Sequence, residues 1–163
     1  MDDNIILDTD VASTFAKIDR LDLLLNLFSK RRLFITPRIF EELSVSLEYG
    51  YKFPLKIFNS FEVLYPSEEE IEVYQDMFIK NKGIGKGELE AICICKRRGY
   101  VFASMDAAAL RLALSLNVEI LDLQSILRAL WESGMKSKDE VEDIIIELED
   151  KDNTTISDWQ SIF

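Results

Sequence analysis

The chain contains no histidine. It therefore lacks the one side chain whose unperturbed pKa lies near neutral pH, so hydrolytic chemistry here needs another way to deprotonate a nucleophile. The usual nitrogen ligand of zinc is missing too, and the two cysteines, Cys93 and Cys95, do not replace it. Two residues apart on a predicted helix, they point to different sides and cannot bridge each other. Their expected role is that of two small buried hydrophobes in a reducing cytoplasm. Glycine (6) and proline (3) are scarce among 163 residues, which excludes a low-complexity or disordered chain. No run of 18 apolar residues occurs, so no membrane span is expected. The start, Met1-Asp2-Asp3-Asn4, has no basic region, so a secretory leader is not expected either.

Positive charge is in short supply. The formal net charge is -11, unevenly spread: residues 1–136 carry -4 and residues 137–163 carry -7. Such acidity opposes non-specific nucleic-acid binding, so a nucleic-acid substrate would need local basic patches and bound metal. The candidates are Lys30-Arg31-Arg32, the Lys80/Lys82/Lys86 group, Lys96-Arg97-Arg98 and Arg111.

What is present is a sizeable apolar fraction, 48%, enough for one domain with its own core. Short Ile/Leu/Val-rich runs predict strands at 4–8, 33–36, 62–64, 100–104 and 118–121. Between them lie helical patterns. Residues 10–29 read as a helix broken near Asp19. Thr36 is placed to cap a helix with Pro37 at its first position. Residues 52–60 read as a short helix. Ser67 and Glu70 form a capping box for a helix to Lys80. Gly83–Gly87 reads as a loop, and Glu88–Arg98 as a helix closed by Gly99. Helices follow at 107–116, ended by Asn117, and at 123–133. An amphipathic helix at 137–149 and a short one at 154–162 end the chain. Strands alternating with helices indicate a parallel sheet covered on both faces. A boundary near 135 separates an α/β body (1–135) from an acidic helical extension (136–163), packed on the body or on a partner.

The acids fall where such a sheet binds ligands. Asp8 closes the first strand and Asp106 follows the fourth. Glu41 or Glu42 lies in the first turns after Thr36-Pro37, and Glu88 or Glu90 follows the glycine loop. Each position is a strand end or helix start, and in an open α/β sheet these converge at the carboxyl ends of the strands. Each acid also has a plain role as a helix cap or surface charge, Asp10 as a cap in particular. Four carboxylates brought together repel unless a hard cation holds them, which points to Mg²⁺ or Mn²⁺. Metal-activated water also fits the absence of histidine.

In this order and spacing the motifs resemble a PIN domain. Leu7-Asp8-Thr9-Asp10-Val11 is similar to the family's first motif. Ile35-Thr36-Pro37 with Glu41-Glu42-Leu43 is similar to the second, which selects Glu42. Gly87-Glu88-Leu89-Glu90-Ala91-Ile92 is similar to a Gly-Glu-x-Glu-Ala signature found in some VapC-like members, and selects Glu88. Phe102-Ala103-Ser104-Met105-Asp106 is similar to the last, with Arg111 beyond. Met105 departs from the Asp-Asp of many relatives, and Ala107-Ala108 stand where basic residues are common.

The resemblance implies a three-layer α/β/α fold with a central parallel sheet of about five strands, plus the C-terminal helical extension. It implies a metal-dependent ribonuclease, with Asp8, Glu42, Glu88 and Asp106 both catalytic and metal-binding. Thr9, Asp10 and Ser104 would orient them, and Lys86 and Arg111 would contact substrate phosphate. The implied partners are RNA, a second copy of the chain, and an antitoxin protein if the role is toxin-like. Two rival readings stand beside it. One is a PIN scaffold that binds RNA or a protein without cutting. The other is a haloacid-dehalogenase-like phosphatase, with Asp8 as nucleophile and Asp10 as acid/base. Only the nuclease needs Glu42.

Overall fold

The computed structural model describes residues 4–152 and 155–163. Five strands form one parallel sheet: β1 (Ile5–Leu7), β2 (Leu33–Ile35), β3 (Glu62–Val63), β4 (Val101–Ala103) and β5 (Ile120–Leu121). Their order is β3-β2-β1-β4-β5. The chain thus winds outward from β1 in one direction, then returns to its other side. The register Ile6↔Phe34 and Ile6↔Phe102 places β1 at the centre. Ile5, Ile6 and Leu7 are fully buried, as a two-sided cover requires. Every strand is shorter than its apolar run, because pairing stops where the chain turns into the next helix.

The helices are α1 (Thr9–Lys17), α2 (Leu21–Leu27), α3 (Pro37–Glu48), α4 (Phe53–Ser60), α5 (Glu68–Lys80), α6 (Lys86–Arg98), α7 (Ala107–Ser115), α8 (Leu123–Glu132) and α9 (Lys138–Asp152). Right-handed crossovers put α1 to α4 on one face and α5 to α7 on the other. Helices α8 and α9 return to the first face, where they contact α2 and α1. Asp19 takes a left-handed φ of 59° and breaks α1 from α2. Gly99 (72°) and Asn117 (61°) occupy the same region after α6 and α7, as residues without β-branching can.

Several local expectations change. Thr36 sits at the N-cap of α3, but its hydroxyl makes no cap bond. Pro37 has no N–H to offer, and the Arg38 N–H is taken by Glu90 Oε1 of α6 at 3.1 Å. The glycine loop is shorter than Gly83–Gly87, because Gly85 is the N-cap and α6 begins at Lys86. Asp10 is not a cap; Asp8 holds that position and Asp10 lies in the first turn. The last short helix is a 3-10 turn over Trp159–Ile162, and residue 154 of its expected span lies outside the described residues.

Helix α9 buries Val141, Ile144, Ile145 and Leu148 in the common core. Its start is a capping box: Ser137 N–H donates to Glu140 Oε1 (3.0 Å), and Glu140 N–H to Ser137 Oγ (3.2 Å). No helix among the described residues is long and apolar enough to cross a membrane.

Two ion pairs tie α5 to the end of α6, Arg97–Glu69 on the surface and Arg98–Glu70 beneath it. Glu70, almost wholly buried, accepts two bonds from Arg98, Nε at 2.9 Å and Nη2 at 2.7 Å. Arg98 Nη2 also donates to the Tyr65 carbonyl. Removing the arginine strands a buried carboxylate. Arg98→Ala is therefore expected to cost ~3 kcal/mol in urea unfolding, whereas an exposed pair such as Lys80–Asp76 costs under ~1 kcal/mol. Equal losses from the two deletions would contradict this assignment.

Candidate metal centre

Asp8 follows β1 directly and caps α1, with Oδ1 accepting the Thr9 N–H at 2.6 Å. Its other oxygen accepts the Ser104 hydroxyl at 2.8 Å. Ser104 follows β4, the strand paired with β1 on the far side from β2. This is the point where the strand order reverses, the usual ligand crevice of an open α/β sheet. Ser104 Oγ also accepts the Asp106 N–H at 3.0 Å. One hydroxyl therefore links two of the expected acids. Asp106 caps α7 through the Ala109 N–H.

Glu42 reaches back from the second turn of α3. Its Oε2 accepts the Thr9 hydroxyl at 2.5 Å, and its Oε1 accepts the Gly87 N–H at 3.2 Å. Thr9 is thus the hinge between the strand-end aspartate and the helix glutamate. Glu41 is exposed, and no hydrogen bond or ion pair joins it to this group among the described residues. Glu88 lies in the first turn of α6, its carboxylate over Gly85. Glu90 faces the other way. It is spent on α3, through the Arg38 N–H and a 3.5 Å ion pair to Arg38 Nε.

Electrostatics shows which acids the fold brings together. The Asp8 carboxyl is pushed well above the usual range, first by burial and then by the charge of Glu88, with Asp10 adding to it. The Ser104 and Thr9 bonds pull it only partly back. Glu88 is raised by burial, then by Asp106, with smaller contributions from Asp10 and Glu42. Asp10 is raised by burial, Asp152 and Asp106, against relief from Lys17. All four expected acids, and Asp10 with them, therefore share one electrostatic neighbourhood.

Among the described residues, no three acidic or cysteine side chains stand close enough together to hold a metal ion as they lie. The donor set nevertheless fits a hard divalent cation. It is all oxygen, and each carboxylate keeps lone pairs beyond its few hydrogen bonds. A positive charge there would also relieve the repulsion that raises Asp8 and Glu88. Lys86 is exposed at the start of α6, with its ammonium 5.7 Å from the Phe78 ring centre. Arg111 is exposed on α7, just over one turn beyond Asp106.

Sequence reasoning missed Gly87 as a site residue. A Cβ there would stand 2.6 Å from Glu42 Oε1 and 3.1 Å from Ile39 Cγ1. The signal was available: a glycine one residue inside a helix start marks a close approach. Gly87→Ala is expected to swing Glu42 out and lose its backbone bond. Because the carboxylate can move, the cost is only ~1 kcal/mol of stability. A crystal structure of the variant with Glu42 unmoved would contradict this.

Residues 4–159 match a family model described as PIN domain. No curated protein is significantly similar to the chain. Among the solved structures that share the fold are two toxin–antitoxin proteins, VapBC-1 and FitAB. VapBC-1 from nontypeable Haemophilus influenzae matches with a TM-score of 0.56 at 18% identity, covering 72% of this chain and 96% of that one. FitAB bound to an IR36 DNA fragment matches with a TM-score of 0.51 at 14% identity, covering 72% and 94%.

Proposed function

This chain belongs to the PIN domain family, and on that premise we propose that it is a metal-dependent ribonuclease acting at the carboxylate centre. The observation that carries the reading is the gathering of carboxylates at the reversal point of the sheet, where Thr9 and Ser104 tie Asp8 to Glu42 and to the Asp106 turn. Burying like charges together is costly unless the cluster serves a cation or a reaction. Asp8, Glu42, Glu88 and Asp106 would hold one or two Mg²⁺ or Mn²⁺ ions. When bound, the metal would lower the pKa of a water so that hydroxide forms at neutral pH, and would supply charge to offset what develops on the phosphate.

The chain's own residues fix the geometry. Thr9 holds Asp8 by its N–H and Glu42 by its hydroxyl. Ser104 holds Asp8 and the start of the Asp106 turn. Asp10 adds negative charge at the edge, and Lys86 and Arg111 would contact a substrate phosphate. The Gly-Glu-x-Glu-Ala segment supports reading the chain as a VapC-like member. That subgroup reading carries a homodimer and an antitoxin-like protein partner as further expectations. Family membership weighs against the phosphatase, which has no use for Glu42.

The test is incubation of purified protein with mixed single-stranded and structured RNA in Mn²⁺, Mg²⁺ or EDTA. Cleavage in metal that stops in EDTA is expected. Intact RNA after incubation with folded protein in both metals would overturn the nuclease and leave a binding scaffold.

A further inference from the structure

In a chain this acidic, lysines gathered in one place need a reason. Four of them, Lys17, Lys52, Lys56 and Lys151, line a single cavity of about 470 Å³ with Tyr51 and Phe53. It lies where the end of α1 meets the start of α4 and the end of α9. Asp152 pairs with Lys17 at 2.6 Å and Asp19 with Lys56 at 2.7 Å, so two acids offset part of the charge. Lys52 and Lys151 bring two further cations. Tyr51 is 60% exposed, its ring tilted 57° against Phe53. The Lys17 ammonium lies 5.2 Å from the Phe53 ring centre. Cations beside an exposed aromatic ring are what a single-stranded nucleic acid needs, phosphates on the former and a base on the latter.

Helix α1 links the cavity to the carboxylates. Lys17 ends the helix whose first residue, Thr9, holds Asp8 and Glu42. At 1.5 Å per residue the two ends are about 12 Å apart. Asp10 and Lys17 are seven residues apart and share one exposed face of α1.

We propose that this lysine–aromatic groove binds single-stranded RNA and leads it to the carboxylate centre. The direction of travel rests on the ribonuclease reading; binding rests on the groove alone. A run of acidic side chains would use the lysines but has no ring to stack on Tyr51. A duplex would keep its base faces stacked and out of the ring's reach.

The test is fluorescence anisotropy with a labelled 12-nucleotide single-stranded RNA, without divalent ions so that nothing is cut. The variants are the double Lys52→Glu/Lys151→Glu and the single Tyr51→Ala. All three residues are exposed, and thermal melts check that the variants fold. The double variant is expected to bind at least ~10-fold more weakly, its log–log salt slope lower by ~1.4 for two lost phosphate contacts. Tyr51→Ala is expected to weaken binding ~5-fold or more with its salt slope unchanged. No binding by wild type, or unchanged affinity in both variants, overturns the proposal. Oligo-glutamate of equal length competing as well as RNA also overturns it, in favour of an acidic protein partner. Metal-dependent cutting with unaltered groove variants removes the groove and leaves the nuclease. Groove-dependent binding by a protein that never cuts removes the nuclease and leaves the groove.

Discussion

In saturating Mn²⁺, Asp8→Asn is expected to cut RNA ~10³-fold more slowly than wild type, a loss of ~4 kcal/mol of transition-state stabilisation. The same variant is expected to be the more stable protein without metal. Asparagine has the same shape, can still cap α1 through the Thr9 N–H, and can still pair with Ser104. It drops the charge that burial and Glu88 both oppose. The gain is ~1 kcal/mol, or ~3 °C in melting temperature. Glu42→Gln is the informative partner. Its carboxylate is tied to Thr9 and Gly87 at the rim rather than buried, so it should lose activity without a comparable gain in stability. A variant that melts higher and still cuts at the wild-type rate would mean Asp8 is only a cap. Equal stability changes in both variants would mean the burial argument is wrong.

Much of the fold is legible in the sequence because its strongest signals are local. Five apolar runs fall on the five strands, and the Ser67–Glu70 capping box appears as expected, with both bonds made. Gly99 and Asn117 end their helices in the left-handed region. What the sequence hides are substitutions made from a distance. Thr36 has the right type and position for a cap, yet Glu90, 52 residues beyond Arg38, takes the Arg38 N–H. Once a buried carboxylate reaches that N–H, the threonine hydroxyl has nothing to do. The start of α6 moved for a similar reason. Gly87 looks like loop until Glu42 is known to need its N–H.

The same contrast governs the candidate site. Helical periodicity alone cannot choose between Glu41 and Glu42, because both neighbours are apolar. It separates Glu88 from Glu90 onto opposite sides without saying which side holds the other acids. The fold answers both: Glu42 meets Thr9, and Glu90 is committed to α3. Asp10 carries two readings in the sequence, cap and site neighbour. Its coupling to Asp106 belongs to the second.

Metal-free stability should fall as pH rises above about 4 in a way that Asp8→Asn does not share. Aspartate ordinarily titrates at 3.8, and the folded Asp8 lies well above that. Below 3.8 the group is protonated in both states and carries no penalty. Above it the unfolded chain sheds the proton while the folded chain still holds it, so stability declines until the pH passes the raised folded value. Glu88, raised from 4.5, adds a second decline of the same sign. Glu70, lowered by Arg98, acts oppositely and loses its contribution as pH falls through its folded value. It is common to both proteins, so it cancels in their difference. The stability gap between Asp8→Asn and wild type should therefore be small at pH 3.5 and open towards neutrality. Mn²⁺ should then reverse the gap, because binding to the folded state alone at 100 times its Kd adds ~2.7 kcal/mol, or ~5–10 °C, to wild type. The variant should gain little. Melting curves from pH 3.5 to 8, with Mn²⁺ or with EDTA, read both effects. A gap that does not change with pH would assign the gain to packing rather than charge. A metal shift that survives Asp8→Asn would place the cation elsewhere.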